Sequence, residues 1–170
     1  LMYVSVPDFD SIMKNTPIYE LFPALREQIA AIAEIVISNG GDIDKIMGEK
    51  LLIAFHLGDK TANETAINAA KAAHLIENNP NLHFKVAVGV NYGLVISGYL
   101  GVGQKRDFTI IGDSVNVTAR IASFAEKLES NKCVVSEGVM SLIKSEIKTE
   151  EYGEVRFKGK ALPAKVYRMV

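Results

Sequence analysis

Leu21, Leu25, Ile29, Ile32 and Val36 recur every three or four positions, the spacing of one buried helix face, and Asn39-Gly40-Gly41 closes that helix with the glycine a left-handed cap prefers. A second stripe, Ala62, Ala66, Ala69, Ala73 and Ile76, consists of small residues that let a helix lie close to a sheet; Asn78-Asn79-Pro80 ends it. Between the two helices, 43–47 and 51–55 read as strands around Gly48-Glu49-Lys50, a gap that fits only a hairpin. Residues 1–6 form a β-rich run ended by Pro7. Further on, 84–90 and 94–100 are apolar β runs joined at Asn91-Tyr92-Gly93, and a Gly-rich excursion at 98–103 suits a partner contact. A strand at 108–111 then feeds a helix that opens at Gly112-Asp113-Ser114 and runs to about 128, with Asp113 or Ser114 as its expected N-cap. A strand at 132–135, a helix at 137–144 and a closing hairpin, 152–158 with 164–169, complete the chain.

The order β-α-β-β-α-β predicts an α+β fold: a ferredoxin-like, palm-type antiparallel sheet with helices covering one face and a C-terminal β extension. Many functions share that architecture, so chemistry must come from particular residues.

Composition narrows the field. The 170 residues suit a single domain that buries about two-thirds of its unfolded surface. The lone Cys133 cannot form an internal disulfide and gives no sign of an oxidising compartment. Nineteen Lys and Arg against twenty Asp and Glu leave a net charge of −1, which supplies no footprint for nucleic acid or an anionic membrane. No apolar run reaches the ~20 residues of a membrane span and no secretory leader opens the chain, so a cytoplasmic placement is expected. The strand-like start at Leu1 fits a domain, 1–170, excised from a longer protein.

Two features carry chemistry. Asn116 and Arg120 stand four residues apart on one helix and so share a face, and Gly48-Glu49-Lys50 sets a carboxylate at a hairpin tip. Alone, these would be an ordinary polar residue, a surface charge and a turn.

Their surroundings change that reading. Gly40-Gly41-Asp42-Ile43-Asp44-Lys45-Ile46-Met47-Gly48-Glu49-Lys50-Leu51, the stretch from Arg106 to Arg120 containing Phe108-Thr109-Ile110-Ile111-Gly112-Asp113-Ser114-Val115-Asn116, and Val155-Arg156-Phe157-Lys158-Gly159-Lys160 each resemble a segment of the class III nucleotidyl cyclase catalytic domain. The resemblance spans nearly the whole chain. It implies the class III cyclase fold, a nucleotide substrate, Mg²⁺ or Mn²⁺ as metal, and a site formed at the interface of a homodimer or a heterodimer with another cyclase domain. It further implies that the ribose 3′-hydroxyl attacks the α-phosphate, giving a cyclic nucleotide and pyrophosphate.

By the same resemblance, Asn116 orients the ribose and Arg120 meets charge developing on the phosphate, work suited to a fixed guanidinium. Lys45 and Thr109 fall at the base-reading positions, a pair that suits adenine's N1 acceptor and N6 donor and so favours ATP. Lys158 matches a phosphate-contacting lysine. The metal half departs from the family pattern: counting back through an ungapped helix puts Ser5 at the first metal aspartate, and Glu49 takes the second. Serine brings no charge, and glutamate adds a methylene in a site that demands near-octahedral geometry. A slipped register would offer Asp8 or Asp10 instead, with Pro7 in the strand.

This pattern resembles the second, non-metal half of two-domain adenylyl cyclases, and the isolated chain is expected to be weak or inactive. The competing reading is a catalytically silent module that binds nucleotide or a partner and regulates. Elsewhere, His56, His74 and His83 have no metal-ligand spacing, Cys133 reads as a buried small hydrophobe, and Gly98, Gly101 and Gly103 read as the turns of a dimerisation arm. Asn39-Gly40-Gly41-Asp42 resembles a diguanylate cyclase motif, but that motif belongs at a hairpin tip, which here is Met47-Gly48-Glu49-Lys50.

Overall fold

The computed structural model describes residues 1–56, 58–129, 132–156 and 163–170, with Lys105 described by its backbone alone. Strand β1 (Met2–Ser5) lies inside the main sheet, antiparallel to β3 (Lys50–Ala54) on one side and β4 (Ala87–Val90) on the other. Strand β2 (Asp42–Met47) forms the edge beyond β3, joined to it by a turn in which Gly48 takes φ 67°. On the far side, β7 (Cys133–Ser136) runs parallel to β4, and the hairpin of β8 (Thr149–Val155) and β9 (Ala164–Met169) extends the sheet. The seven-stranded order is β2-β3-β1-β4-β7-β9-β8, the expected ferredoxin-like arrangement with its C-terminal β extension.

The pleat sorts side chains onto two faces. Met2, Val4, Leu51, Ile53, Val88, Val90 and Val135 point to the face covered by α2 (Ile18–Ser38), α3 (Ala62–Glu77) and α5 (Glu137–Ile143), where Ile32, Val36, Ala69, Ala73 and Ile76 of the predicted stripes complete the larger core. Helix α3 begins with a capping box: the Thr61 hydroxyl accepts from the Glu64 amide while the Glu64 carboxylate accepts from the Thr61 amide.

The opposite face also carries a helix. Helix α4 (Asp113–Ala125) sets Val117, Ile121 and Ala125 on Ala87, Val134 and Val166, which corrects the expectation of helices on one face only. Gly89 makes the contact possible, because a Cβ there would lie 2.4 Å from the backbone nitrogen of Ala122. The N-cap of α4 is Gly112 and not Asp113 or Ser114; Ser114 is already helical and its hydroxyl donates to the Leu94 carbonyl at 2.9 Å.

A short helix escaped the sequence pattern, and the strands expected at 94–100 and 108–111 take in the excursion between them. Helix α1 (Phe9–Asn15), whose N-cap Asp8 has φ 55°, has no fully buried residue and packs Phe9 and Ile12 only partly against the core. The excursion at 98–103 is regular structure: β5 (Ile96–Val102) and β6 (Lys105–Ile111) form a separate two-stranded ribbon, with Gly98 opposite Thr109 and the turn at Gly103. Its root is held by Leu52, Ala54 and Ile110, while Val102 is 88% exposed near its tip. Tyr99 packs edge-on against Phe108.

Candidate functional site

The base-reading candidates meet across 64 residues of sequence. Strand β2 shifts register between Ile43 and Lys45, so that Lys45 stands opposite Leu52. Directly opposed residues share a face, and Leu52 packs with Ile110 of β6, so the bulge aims Lys45 toward the ribbon. There the Lys45 ammonium donates a hydrogen bond to the Thr109 hydroxyl and lies 3.4 Å from Asp44 Oδ2. Thr109 is buried, and the end of the Lys45 side chain stays partly open to solvent.

Asn116 and Arg120 sit on α4 outside the stripe that packs on the sheet; Asn116 is exposed and Arg120 half-buried. The Thr118 hydroxyl donates to the Ser114 carbonyl at 2.6 Å inside the same turns. Arg120 borders a cleft of about 420 Å³ between α4 and β8, together with Phe124, Lys127, Glu154 and Arg156. Lys158 lies outside the described residues.

The metal candidates Ser5 and Glu49 are linked through Glu126, which bonds the first and shares a cavity with the second. Ser5 ends β1 opposite Ala87, is fully buried, and donates its hydroxyl to Glu126 Oε1 at 2.5 Å. Glu49 stands at the β2–β3 turn with its carboxylate 3.6 Å from the Lys50 ammonium. Glu49 and Glu126 border one cavity of about 460 Å³, which Asp8, Asp10, Lys14 and Lys50 also line. Asp8 and Asp10 reach it from α1 and the loop before it; Ser5 keeps the strand position, and Pro7 lies beyond the strand.

A hard divalent ion needs several oxygen donors in near-octahedral array. Here the only side-chain oxygen from position 5 is a hydroxyl already engaged with Glu126, and two ammonium groups share the cavity. Among the described residues, no three His, Cys, Asp or Glu side chains are grouped to hold a metal ion. At the two positions that the resemblance assigns to a metal pair, Ser5 therefore offers no carboxylate and the Glu49 carboxylate lies beside the Lys50 ammonium. Sequence reading had no means of finding Glu126, since its partner is 121 residues away and no motif surrounds it.

The remaining candidates have structural settings. His83 contacts Glu27 at 3.0 Å, His74 contacts Asn78 at 3.3 Å, and His56 is exposed. Cys133 is buried in β7, and burial pushes its thiol well above the usual range. Among the described residues, no helix is long and apolar enough to cross a membrane.

Comparison with known proteins bears on the whole chain. An adenylate cyclase of Anabaena cylindrica is 24% identical over 84% of this chain, which spans 30% of that protein's length. The adenylyl cyclase CyaB from P. aeruginosa superposes with a TM-score of 0.88 at 22% identity, covering 99% of this chain and 91% of the other. A dimeric guanylyl cyclase domain from the aquatic fungus Blastocladiella emersonii superposes with a TM-score of 0.77 at 17% identity, covering 99% and 93%. The family described as the adenylate and guanylate cyclase catalytic domain matches residues 1–169, from the β1 strand to the last residue of β9, and the chain belongs to that family.

Proposed function

We propose that this domain takes ATP and contributes the base-reading and transition-state half of an adenylate cyclase site, completed by a partner domain. The observation that carries the reading is the Lys45–Thr109 hydrogen bond. It holds a donor and a hydroxyl side by side before any nucleotide arrives, so the Lys45 ammonium can donate to adenine N1 and the Thr109 oxygen can accept from N6. Asn116 orients the ribose and Arg120 faces the α-phosphate, where a fixed guanidinium opposes charge as it develops. The β5–β6 ribbon, with Tyr99, Leu100 and Val102 exposed, supports a contact with a second cyclase domain.

Both sites of a homodimer would combine Ser5 with Glu49, so the chain alone turns over very weakly. A specific observation favours a second reading, a silent regulatory module: the Ser5–Glu126 bond and the Glu49–Lys50 pair occupy the groups that a metal would need.

The deciding experiment measures cyclic AMP from the purified chain with Mn²⁺, alone and mixed with a cyclase domain that carries both aspartates but lacks its own Asn and Arg. Activity in the mixture that disappears with Arg120→Ala supports the half-site. Full activity of the chain alone refutes it, and silence in both, with ATP binding lost in Lys45→Ala, selects the regulatory reading.

A further inference from the structure

A cavity of about 340 Å³ lies where β1 begins and β3 and β4 end, between α3 and the loop from Asn91 to Val95. Ala66, Ala69, Val90 and Val139 border it and are buried, while Tyr92 and Leu94 border it and are exposed, so it is an apolar chamber with an open rim. Among the described residues, no Asp, Glu, Lys or Arg side chain lines it. The loop wall is pinned: Asn91 Nδ2 donates to the Ser114 carbonyl at 3.2 Å, and the Ser114 hydroxyl donates to the Leu94 carbonyl at 2.9 Å. These two bonds to α4 keep the loop from collapsing onto the alanines. Thr65 of α3 also borders the cavity and is 8% exposed. Its hydroxyl is the one buried side-chain polar atom among the described residues that finds no hydrogen-bond partner. A helical threonine can donate to the carbonyl four residues back, as Thr118 does to Ser114. Thr65 does not; its backbone amide alone reaches the Thr61 carbonyl. Two χ1 rotamers are open to a threonine in a helix, so the hydroxyl can turn toward a guest.

From these features we infer that the cavity binds a small, uncharged, mostly apolar molecule whose single polar group pairs with the Thr65 hydroxyl. A charged ligand would find no counter-charge among the lining side chains and would lose its hydration uncompensated. The volume stands at the lower end of the ~300–1,000 Å³ of ligand pockets, which keeps the molecule small. One water could pair with the hydroxyl, but at ~30 Å³ it would leave most of the space unfilled against apolar walls. Lys45, Thr109, Asn116 and Arg120 do not line the cavity, so its ligand is independent of any nucleotide.

Amide NMR titrations of wild type and Thr65→Val test it, with two probes: indole, apolar with a single N–H, and indene, its hydrocarbon isostere. Indole is expected to bind wild type saturably, moving the amides of Thr65, Ala66 and Tyr92 and leaving those of α2 in place. Both probes should still bind Thr65→Val, but the ratio of indole to indene affinity should fall about threefold to tenfold, the worth of one net hydrogen bond. Thr65→Val removes a hydroxyl that has no partner, so without a probe its thermal unfolding midpoint should match or exceed that of wild type. A variant that fails to fold, or melts clearly lower, shows that the hydroxyl is already engaged and counts against the assignment. No saturable binding of either probe to wild type, shifts confined to other surfaces, or an unchanged affinity ratio in Thr65→Val overturns the inference.

Discussion

Replacing Ser5 by Asp restores the side chain that the family pattern places at the end of β1, yet it should first destabilise the protein. Ser5 is fully buried and its hydroxyl donates to Glu126 Oε1 at 2.5 Å. An ionised carboxylate at position 5 would remove that donor and set a second negative charge against the first. Losing a hydrogen bond to a charged acceptor costs about 1.5–3 kcal/mol. Two unit charges ~4 Å apart at an effective dielectric of ~20 repel by about 4 kcal/mol. Glu126 is only half-buried and opens on the cavity it shares with Glu49, so solvent roughly halves that repulsion. The sum is about 3.5–5 kcal/mol, a large part of the ~5–15 kcal/mol that holds a domain folded. Urea unfolding in EDTA of wild type, Ser5→Asp, Glu126→Gln and the double variant measures it. The side-chain amide introduced by Glu126→Gln can donate to the new carboxylate, so the double variant should recover at least about 2 kcal/mol relative to the sum of the single changes. A Ser5→Asp variant within about 1 kcal/mol of wild type, or a coupling below ~0.5 kcal/mol, would refute the argument that Glu126 is keyed to Ser5.

Gly89→Ala should cost about 1–3 kcal/mol in unfolding free energy, because the new Cβ lands 2.4 Å from the Ala122 nitrogen and α4 must move off the sheet; the same shift should weaken ATP binding in calorimetry, since α4 carries Asn116 and Arg120. Cys133 should resist iodoacetamide in the folded protein at about pH 8, with its thiol buried and its ionisation pushed up; modification should appear across the urea transition, and rapid labelling of native protein would contradict the packing. Thr61→Ala should lower stability by about 1 kcal/mol through loss of the cap. The Glu64 carboxyl is held below its ordinary value of 4.5, first by the Thr61 backbone amide and then by its hydroxyl, so its contribution is present above that value and is lost as pH falls through the lower folded one. Acid unfolding of Glu64→Gln should be correspondingly flatter below about pH 4.5, and an unchanged profile would exclude the linkage.

Periodic burial was the legible part of the fold. The α2 stripe and the Ala-rich α3 stripe announce themselves because each packs one continuous face on the sheet. Helix α1 was silent because it is only seven residues long and packs Phe9 and Ile12 no more than partly against the core, too little to impose a periodicity. The second helical face was hidden for another reason: Val117, Ile121 and Ala125 show a stripe, but only Gly89, from another element, shows where it docks. Of the site, Lys45 and Thr109 could be named from local motifs, and the structure brings them into contact. Ser5 could be named as an uncharged residue, but its engagement by Glu126 belongs to no motif and exists only once β1 and the end of α4 are packed together.

The position of β1 also bears on how the chain reaches its fold during synthesis. This strand comes first in order, yet its ladder partners are residues 51–53 on one side and 87–90 on the other. Until the chain has been made through β4, β1 has at most one of its two neighbours, with a row of unpaired backbone N–H and C=O groups uncovered. Non-local pairing of this kind closes slowly, and an exposed edge is a target for chaperones or for a second nascent chain. The β4–β7 parallel contact and the β8–β9 hairpin can dock only after that centre exists, so truncated chains that stop before β4 should remain unfolded rather than form a smaller native unit.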